Sequence, residues 1–131
     1  MSDPAQIEVL PVLPSVNLAE TKAFYTEKLG LSEVVHEHEN YLILRRPGLE
    51  LHFWLTDDKT LCERTSVYIR GGGIDALYAE YEKREILHPM GFTEREWGMK
   101  EFYVSDPHGN LLRFGRIPDG QEASKLRSLE A

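Results

Sequence analysis

The stretch Glu96-Trp97-Gly98-Met99-Lys100-Glu101-Phe102-Tyr103-Val104-Ser105-Asp106-Pro107-His108-Gly109-Asn110-Leu111-Leu112-Arg113-Phe114 decides the fold. Polar and apolar residues alternate from Glu101 to Val104, a period typical of a half-buried strand. Residues 106–110 have strong turn chemistry, because proline presets φ and glycine permits a positive φ. A second extended run follows, in which Arg113 lies between two apolar residues and points to the opposite face. The stretch therefore predicts a hairpin with a charged residue on one face.

Composition and charge restrict the classes of protein to consider. The chain has 131 residues, of which 41% are hydrophobic and 28% charged, as in a single soluble globular domain. Its net charge of −7 argues against nonspecific nucleic-acid binding and is compatible with a cationic ligand. No apolar run approaches the roughly 20 residues that span a membrane, and no signal-peptide pattern is present. The single cysteine, Cys62, cannot form an intramolecular disulfide, so a cytoplasmic location is expected.

One order of elements, strand–helix–strand–strand–strand, occurs twice along the chain. The two modules span about residues 7–58 and 64–117, and a tail covers 118–131. In the first module, Asn17 is the predicted N-cap of the helix and Gly30 its C′ residue. The predicted strands are 7–16, 32–37, 41–45, 49–55, 65–70, 92–95, 101–104 and 111–116, with helices at 18–29 and 75–83. The charged stretch 121–131 is expected to be disordered or helical on the surface. Two such copies predict an α+β domain with a pseudo-two-fold arrangement, whose curved mixed sheets form a cup.

Strand alternation gives each predicted sheet two different faces. The face toward the helices is expected to be apolar: Leu42, Leu44, Leu49, Leu51, Phe53, Val67, Ile69, Phe102, Val104, Leu112 and Phe114. The opposite face mixes aromatic rings with charges of both signs: Tyr41, Ile43, Arg45, Glu50, His52, Trp54, Ser66, Tyr68, Arg70, Glu101, Tyr103, Leu111 and Arg113. Aromatic side chains with a few polar anchors are typical of a ligand pocket. A dimer interface and a solvated face are the alternatives.

Three features together resemble the glyoxalase / bleomycin-resistance / extradiol-dioxygenase superfamily, also called vicinal oxygen chelate. They are the repeated βαβββ order, the helix phrase Ala23-Phe24-Tyr25-Thr26-Glu27-Lys28-Leu29-Gly30-Leu31, and the turn phrase Ser105-Asp106-Pro107-His108-Gly109-Asn110. The resemblance covers about residues 7–117.

Within that superfamily the chain is most similar to the bleomycin-resistance proteins. Three phrases are similar to theirs: Pro11-Val12-Leu13-Pro14-Ser15 in the first strand, Arg70-Gly71 with Asp75 to Tyr81 at the second helix, and Glu96-Trp97-Gly98 in a loop. The resemblance implies a homodimer formed by strand exchange, with two ligand grooves between the subunits. It also implies a protein that binds its drug without altering it and needs no cofactor.

The enzymes of the superfamily provide an alternative, a divalent-metal-dependent lyase, isomerase or dioxygenase with an atypical ligand set. Those enzymes hold the metal with His and Glu side chains on the first and last strands of each module. Most of the corresponding positions here do not carry normal ligands: Leu10 or Pro11, Arg64 or Thr65, and Arg113. Only Glu50 or His52 remains, and which of the two occupies the ligand position stays open. We therefore expect no metal.

The resemblance and the composition of this face together predict a metal-free protein that sequesters a cationic planar compound of the bleomycin type in a groove at a dimer interface. Aromatic rings, among them Phe92, offer surfaces for stacking and for cations. The carboxylates of Glu50, Glu96 and Glu101 are expected to pair with a cationic tail. The predicted ligand-binding residues are Trp97, Trp54, Tyr41, Glu50, His52, Tyr68, Glu101, Tyr103 and Arg113. No residue is predicted to be catalytic.

Overall fold

A computed structural model describes residues 5–119, which divide into two compact units between Thr65 and Ser66. The first unit contains β1 (Val12–Ser15), α1 (Leu18–Glu27), β2 (Glu33–Glu37), β3 (Tyr41–Arg46), β4 (Leu49–Leu55) and α2 (Lys59–Glu63). The second contains β5 (Ser66–Arg70), α3 (Ile74–Lys83), β6 (Thr93–Glu94), β7 (Lys100–Ser105) and β8 (Leu111–Arg116). Both units follow the predicted order of strand, helix and three strands, so the predicted α+β class is confirmed.

Each unit has one mixed four-stranded sheet. The strand orders are β1-β4-β3-β2 and β5-β8-β7-β6. In each sheet the first and last strands of the module pair in parallel, whereas the other pairs are antiparallel. The last strand of each module, β4 or β8, therefore has a neighbour on both sides, and side chains from three strands meet on its face.

The ends of helix α1 lie close to the predicted positions. The side chain of Asn17 accepts a hydrogen bond from the backbone N–H of Glu20 at 3.0 Å, as an N-cap does. Gly30 has φ of 77°, and the backbone N–H of Leu31 donates to the carbonyl of Tyr25 at 2.9 Å. Helix α1 ends at Glu27 with Lys28 as its C-cap, so this left-handed glycine lies one residue beyond the C′ position predicted for it.

The turn phrase forms the hairpin that the sequence predicts. Asp106 Oδ1 accepts from the backbone N–H groups of His108 and Asn110 at 2.9 and 3.0 Å, and its Oδ2 accepts from the Asn110 side chain at 2.9 Å. Gly109 has φ of 104°. The turn places Ser105 opposite Leu111 and so sets the register of β7 against β8.

The predicted apolar faces form the core of each sheet. Eight of the predicted residues are at most 1% exposed: Leu42, Leu44, Leu51, Phe53, Phe102, Val104, Leu112 and Phe114. Leu49, Val67 and Ile69 are half-buried. In the second unit the rings of Phe102 and Phe114 stack at 4.9 Å, and Tyr81 of α3 packs against both. Burial of these rings leaves the opposite face of β7 and β8 for the site.

The structure differs from the sequence-based expectation at several short elements. Residues 7–16 form a strand only over Val12–Ser15, and helix α2 was not expected because five residues are too few to show a helical period. Strand β6 has two residues rather than four. The tail 121–131 lies outside the described residues. Within residues 5–119 no helix has the length and apolarity that crossing a membrane requires.

Phe92 lies on the helix side of the sheet and not on the face that carries Glu101 and Arg113, which contradicts its predicted role as a stacking surface there. Its ring contacts Tyr78 of α3 at 5.1 Å and Phe102 at 5.5 Å between centroids. The ammonium group of Lys100 lies 4.3 Å from its ring centroid. Phe92 precedes β6, and packing against the helix determines its direction.

Candidate ligand-binding site

The centre of the site in the second unit is the carboxylate of Glu101, which is only 1% exposed. It accepts hydrogen bonds from Trp97 Nε1–H at 2.9 Å, from the Tyr103 hydroxyl at 2.9 Å and from Arg113 Nη2–H at 3.2 Å. A buried carboxylate is stable only when such donors compensate its lost hydration. One carboxylate thus brings together four residues that the sequence analysis singled out.

Sheet register explains why these side chains meet. Tyr103 of β7 lies directly opposite Arg113 of β8, and Tyr68 of β5 lies opposite Arg113 on the other side. Glu101 lies two residues before Tyr103 and therefore on the same face. Trp97 comes from the turn between β6 and β7, which a bond from Arg95 N–H to the carbonyl of Met99 closes at 2.7 Å.

Gly115 makes room for Tyr68 in this arrangement. It lies directly opposite Glu101, on the face that carries Arg113. A Cβ atom on Gly115 would lie 2.9 Å from Cε1 of the Tyr68 ring, closer than real Cβ contacts occur. The absence of a side chain at this position lets the tyrosine ring lie over β8.

Two guanidinium groups contact the aromatic rings. The Cζ atom of Arg113 lies 5.4, 5.5 and 5.6 Å from the ring centroids of Tyr103, Tyr68 and Trp97. The Cζ atom of Arg95 lies 4.8 Å from the Trp97 centroid and 5.9 Å from that of Tyr103. Sequence analysis did not assign Arg95 to the site. Thr93 pairs with Glu101, and Arg95 lies two residues after Thr93, so strand alternation places Arg95 on the same face as Glu101. This alternation would have indicated that Arg95 belongs to the site.

Charges in this cluster favour ionised Glu101 and neutral tyrosines. Burial by itself would raise the pKa of Glu101, but the hydrogen bonds from Trp97, Tyr103 and Arg113 and the charge of Arg113 hold it below its ordinary value. Burial, and then interaction with Glu101, raises the pKa of Tyr68 and of Tyr103. Both phenols therefore keep their protons at neutral pH. Glu101 accepts hydrogen bonds from three surrounding side chains, and its predicted pairing with a ligand cation stays a prediction.

In the first unit, three predicted residues form one hydrogen-bonded chain. His52 contacts the Tyr41 hydroxyl through Nδ1 at 2.8 Å and the Glu50 carboxylate through Nε2 at 2.7 Å. The other oxygen of Glu50 accepts from Arg45 at 3.1 Å. Because a carboxylate only accepts, a neutral His52 ring carries its proton on Nε2, and its Nδ1 accepts the tyrosine proton. Tyr41 then offers only acceptor lone pairs to a ligand.

Open hollows lie beside these residues. One of about 820 Å³ is lined by Glu8, Glu33, Arg45 and Glu50, among others, so three carboxylates surround a single guanidinium. Another of about 580 Å³ is lined by Trp54, which is 38% exposed and pairs across the strands with Tyr41. The acidic hollow attracts cations, and the exposed indole offers an aromatic surface.

The donor set does not fit a metal. Within residues 5–119 no group of three or more His, Cys, Asp or Glu side chains is arranged to hold an ion. Glu50 and His52, the two residues left as possible ligands, are bonded to each other, and both ring nitrogens of His52 are engaged. In the second unit the corresponding face carries Arg113, a fixed cation.

Two βαβββ units with an aromatic, charged face on the last strand define a known class of protein. The sequence profile described as "Glyoxalase superfamily protein" matches residues 5–121, and the chain belongs to this superfamily. The predicted resemblance is confirmed.

The chain is also similar to individual proteins of this fold. It is 27% identical to a bleomycin resistance protein of Geobacillus stearothermophilus, over 82% of this chain and 95% of that protein. The solved structure of a bleomycin-binding protein from bleomycin-producing Streptomyces verticillus, in complex with copper(II)-bleomycin, is 25% identical. The match covers 91% of this chain and 100% of that one, with a TM-score of 0.73. A lactoylglutathione lyase from Agrobacterium tumefaciens, 19% identical with a TM-score of 0.60 over 87% of this chain and 95% of that one, shares the fold.

Proposed function

We propose that this protein binds and sequesters a bleomycin-type antibiotic, a planar compound with a cationic tail, and leaves it chemically unchanged. The observation on which the proposal depends is the cluster of Trp97, Tyr68, Tyr103 and Arg113 around the buried carboxylate of Glu101. This cluster holds aromatic surface in a fixed orientation before a ligand arrives, which lowers the entropic cost of binding. The likeness to proteins named for bleomycin resistance and bleomycin binding supports the choice of ligand.

Each unit by itself has surface suited to one chemical feature of such a compound. In the second unit Trp97 is 48% exposed and Tyr68 41% exposed, so their rings are available for stacking against a planar group. In the first unit the hollow beside Glu8, Glu33 and Glu50 has the charge to attract a cationic tail. Tyr41, with its proton directed to His52, favours ligand groups that donate hydrogen bonds.

We also propose that the protein acts as a homodimer in the cytoplasm. Ile7 and Val9, ahead of β1, are 95% and 92% exposed, and an exposed apolar segment is typical of a surface that a partner covers. A second copy of this chain is the partner that the predicted strand exchange requires. The buried thiol of Cys62 fits a reducing compartment.

The alternative is a metal-dependent enzyme of the same superfamily. Glu50 and His52 on the last strand of the first unit are the residues that favour it. Their mutual hydrogen bond, the engagement of both nitrogens of His52 and the cation at Arg113 favour the binding protein instead.

Calorimetric titration with bleomycin, followed by mass analysis of the recovered drug, tests the proposal. We expect saturable binding with one drug per chain and a recovered drug of unchanged mass. No heat at micromolar protein would exclude this ligand. A modified drug, or stoichiometric Fe, Mn, Ni or Zn in the purified protein that Glu50→Gln removes, would show an enzyme.

A further inference from the structure

The ligand-facing side of the second unit has a surplus of positive charge, although the whole chain has a net charge of −7. We call this surface the arginine–aromatic face and define it by its members: Tyr68, Arg70, Arg95, Trp97, Glu101, Tyr103 and Arg113. It carries three guanidinium groups, those of Arg70, Arg95 and Arg113, and one carboxylate, that of Glu101. The exposed Glu96, beside Trp97, offsets one of the charges, and a positive surplus remains.

Two of these arginines have N–H donors that no acceptor among residues 5–119 uses. Arg95 contacts the Met90 sulfur and the two rings, and within residues 5–119 no carboxylate lies within 4.0 Å of it. Arg113 gives one Nη2–H to Glu101, while its buried Nε–H has no acceptor among the described residues. Arginine has five N–H donors, and a buried donor without a partner is rare in folded proteins.

We propose that the arginine–aromatic face binds a planar ring that bears a hydrogen-bond acceptor, such as a carboxylate or a carboxamide, and that Arg95 and Arg113 determine this specificity. The inference rests on the proposed function in one respect, since it takes this face as part of a ligand site. It assigns planar, acceptor-bearing groups to this face and excludes cationic groups from it.

The stacking surfaces and the charge of this face both favour a planar group that bears an acceptor. A planar group has the half-exposed Trp97 ring and the guanidinium planes as stacking partners, because guanidinium groups stack on aromatic rings. An acceptor at the edge of that group then meets the guanidinium donors. An ammonium group at the same position meets two like charges, and the oxygens of Glu101 that would attract it are already bonded.

Three small probes with the same naphthalene ring test the inference: 2-naphthoate, 2-naphthylmethanol and 2-naphthylmethylammonium. The indole Nε1–H resonance of Trp97, identified with a Trp97→Phe variant, reports binding at this face in nitrogen–proton correlation spectra of the full chain. At low salt we expect naphthoate to bind about three- to ten-fold more tightly than the ammonium probe. The preference should shrink as salt is added, because exposed charges are screened.

Arg95→Gln is the most informative variant for this inference, because it removes a positive charge without leaving a carboxylate unpaired. We expect it to weaken naphthoate binding by about two- to five-fold, the scale of an exposed charge pair, and to leave the neutral alcohol unchanged. Arg84→Gln is the matched control. It removes the same charge at the C-cap of α3, where Arg84 pairs with Glu80, and should change neither probe.

The outcomes separate the inference from the proposed function. Equal or tighter binding of the ammonium probe, or no shift of the Trp97 resonance with any probe at millimolar concentration, overturns the inference. A parallel titration with bleomycin decides the proposed function independently. A preference for naphthoate without bleomycin binding would uphold the inference and reject the drug.

Discussion

Trp97 donates its indole N–H to the carboxylate of Glu101 at 2.9 Å, although 48% of Trp97 is exposed and only 1% of Glu101 is. A half-exposed indole ring is thus hydrogen-bonded to a buried carboxylate. The contact fixes the orientation of the ring and leaves part of its surface available, which is what a stacking platform for a planar ligand requires.

Substitution Glu101→Gln should destabilise the fold and loosen the site together. An amide keeps the size of the side chain but loses the charge that Arg113 and the two other donors satisfy. We expect the free energy of unfolding to fall by about 2–3 kcal/mol in urea denaturation, the scale of hydrogen bonds to a charged group. Glu96→Gln, at an exposed neighbouring position, should stay within about 0.5 kcal/mol of wild type. Equal effects of the two substitutions would contradict the role given to Glu101.

The stability contribution of Glu101 should depend on pH. The pKa of its carboxyl is lower in the folded protein than the unfolded value of about 4.3, because its hydrogen bonds and Arg113 favour the charged form. A lowered pKa stabilises the fold fully above the unfolded pKa, and the contribution is lost as pH falls through the folded pKa. The difference in unfolding free energy between wild type and Glu101→Gln should therefore narrow between about pH 5 and pH 3. A constant difference over that range would show that the pKa of this carboxyl is the same in the folded and the unfolded chain.

Trp97→Ala should weaken bleomycin binding by more than about 1 kcal/mol, the scale of a stacking or cation–π contact. The Trp97→Phe substitution distinguishes the contribution of the aromatic surface to binding from that of the indole N–H. It keeps an aromatic surface but removes one of the three donors to Glu101, so we expect an intermediate affinity in the same calorimetric titration. Unchanged affinity in Trp97→Ala would remove this residue from the site.

The imidazole of His52 should be in the Nε2–H tautomer when it is neutral. In the hydrogen-bonded chain of the first unit, the Glu50 carboxylate accepts from Nε2–H of His52, and the Tyr41 hydroxyl donates to Nδ1. Nitrogen chemical shifts of the ring measure this directly, and Tyr41→Phe should shift Nδ1 more than Nε2. A neutral ring protonated at Nδ1 would reverse the donor direction that we assign to Tyr41.

Gly115→Ala should disturb the site more than the fold. The new methyl group meets the Tyr68 ring, which is 41% exposed and has room to turn away. We expect a loss of unfolding free energy below about 1.5 kcal/mol, because the far end of a side chain moves rather than the backbone. Binding of 2-naphthoate, followed at the Trp97 resonance, should weaken at least about two-fold, because the turned ring of Tyr68 loses its contact with Arg113. Gly72→Ala, with open space around its Cβ, is the control.

Much of the fold was predictable from local patterns. The turn at 106–110 and the cap at Asn17 depend on the chemistry of a few neighbouring residues, so they are visible in the sequence and appear in the structure. Strands β4 and β8 have the predicted bounds because each is a long apolar alternation between turn residues. Short elements such as α2 and β6 were not predicted correctly, since neither is long enough to show a period.

The members of the site were largely predictable, but their roles were not. Alternation on the strands correctly selects Tyr68, Glu101, Tyr103 and Arg113 for one face, because side-chain direction follows from the pleat. Which donors satisfy Glu101 depends on a loop conformation that brings Trp97 to it. Arg95 and Phe92, three residues apart in sequence, lie on different faces for the same reason.

By itself, the sequence determines two βαβββ modules, an apolar face toward the helices and an aromatic, charged face opposite. These follow from hydrophobic period and turn chemistry, which act between residues close in the chain. Only the tertiary structure decides that Glu101 accepts hydrogen bonds from Trp97, Tyr103 and Arg113, and that Arg95 joins Arg113 beside Trp97. Those features depend on cross-strand register and loop closure, which bring distant residues within hydrogen-bonding distance.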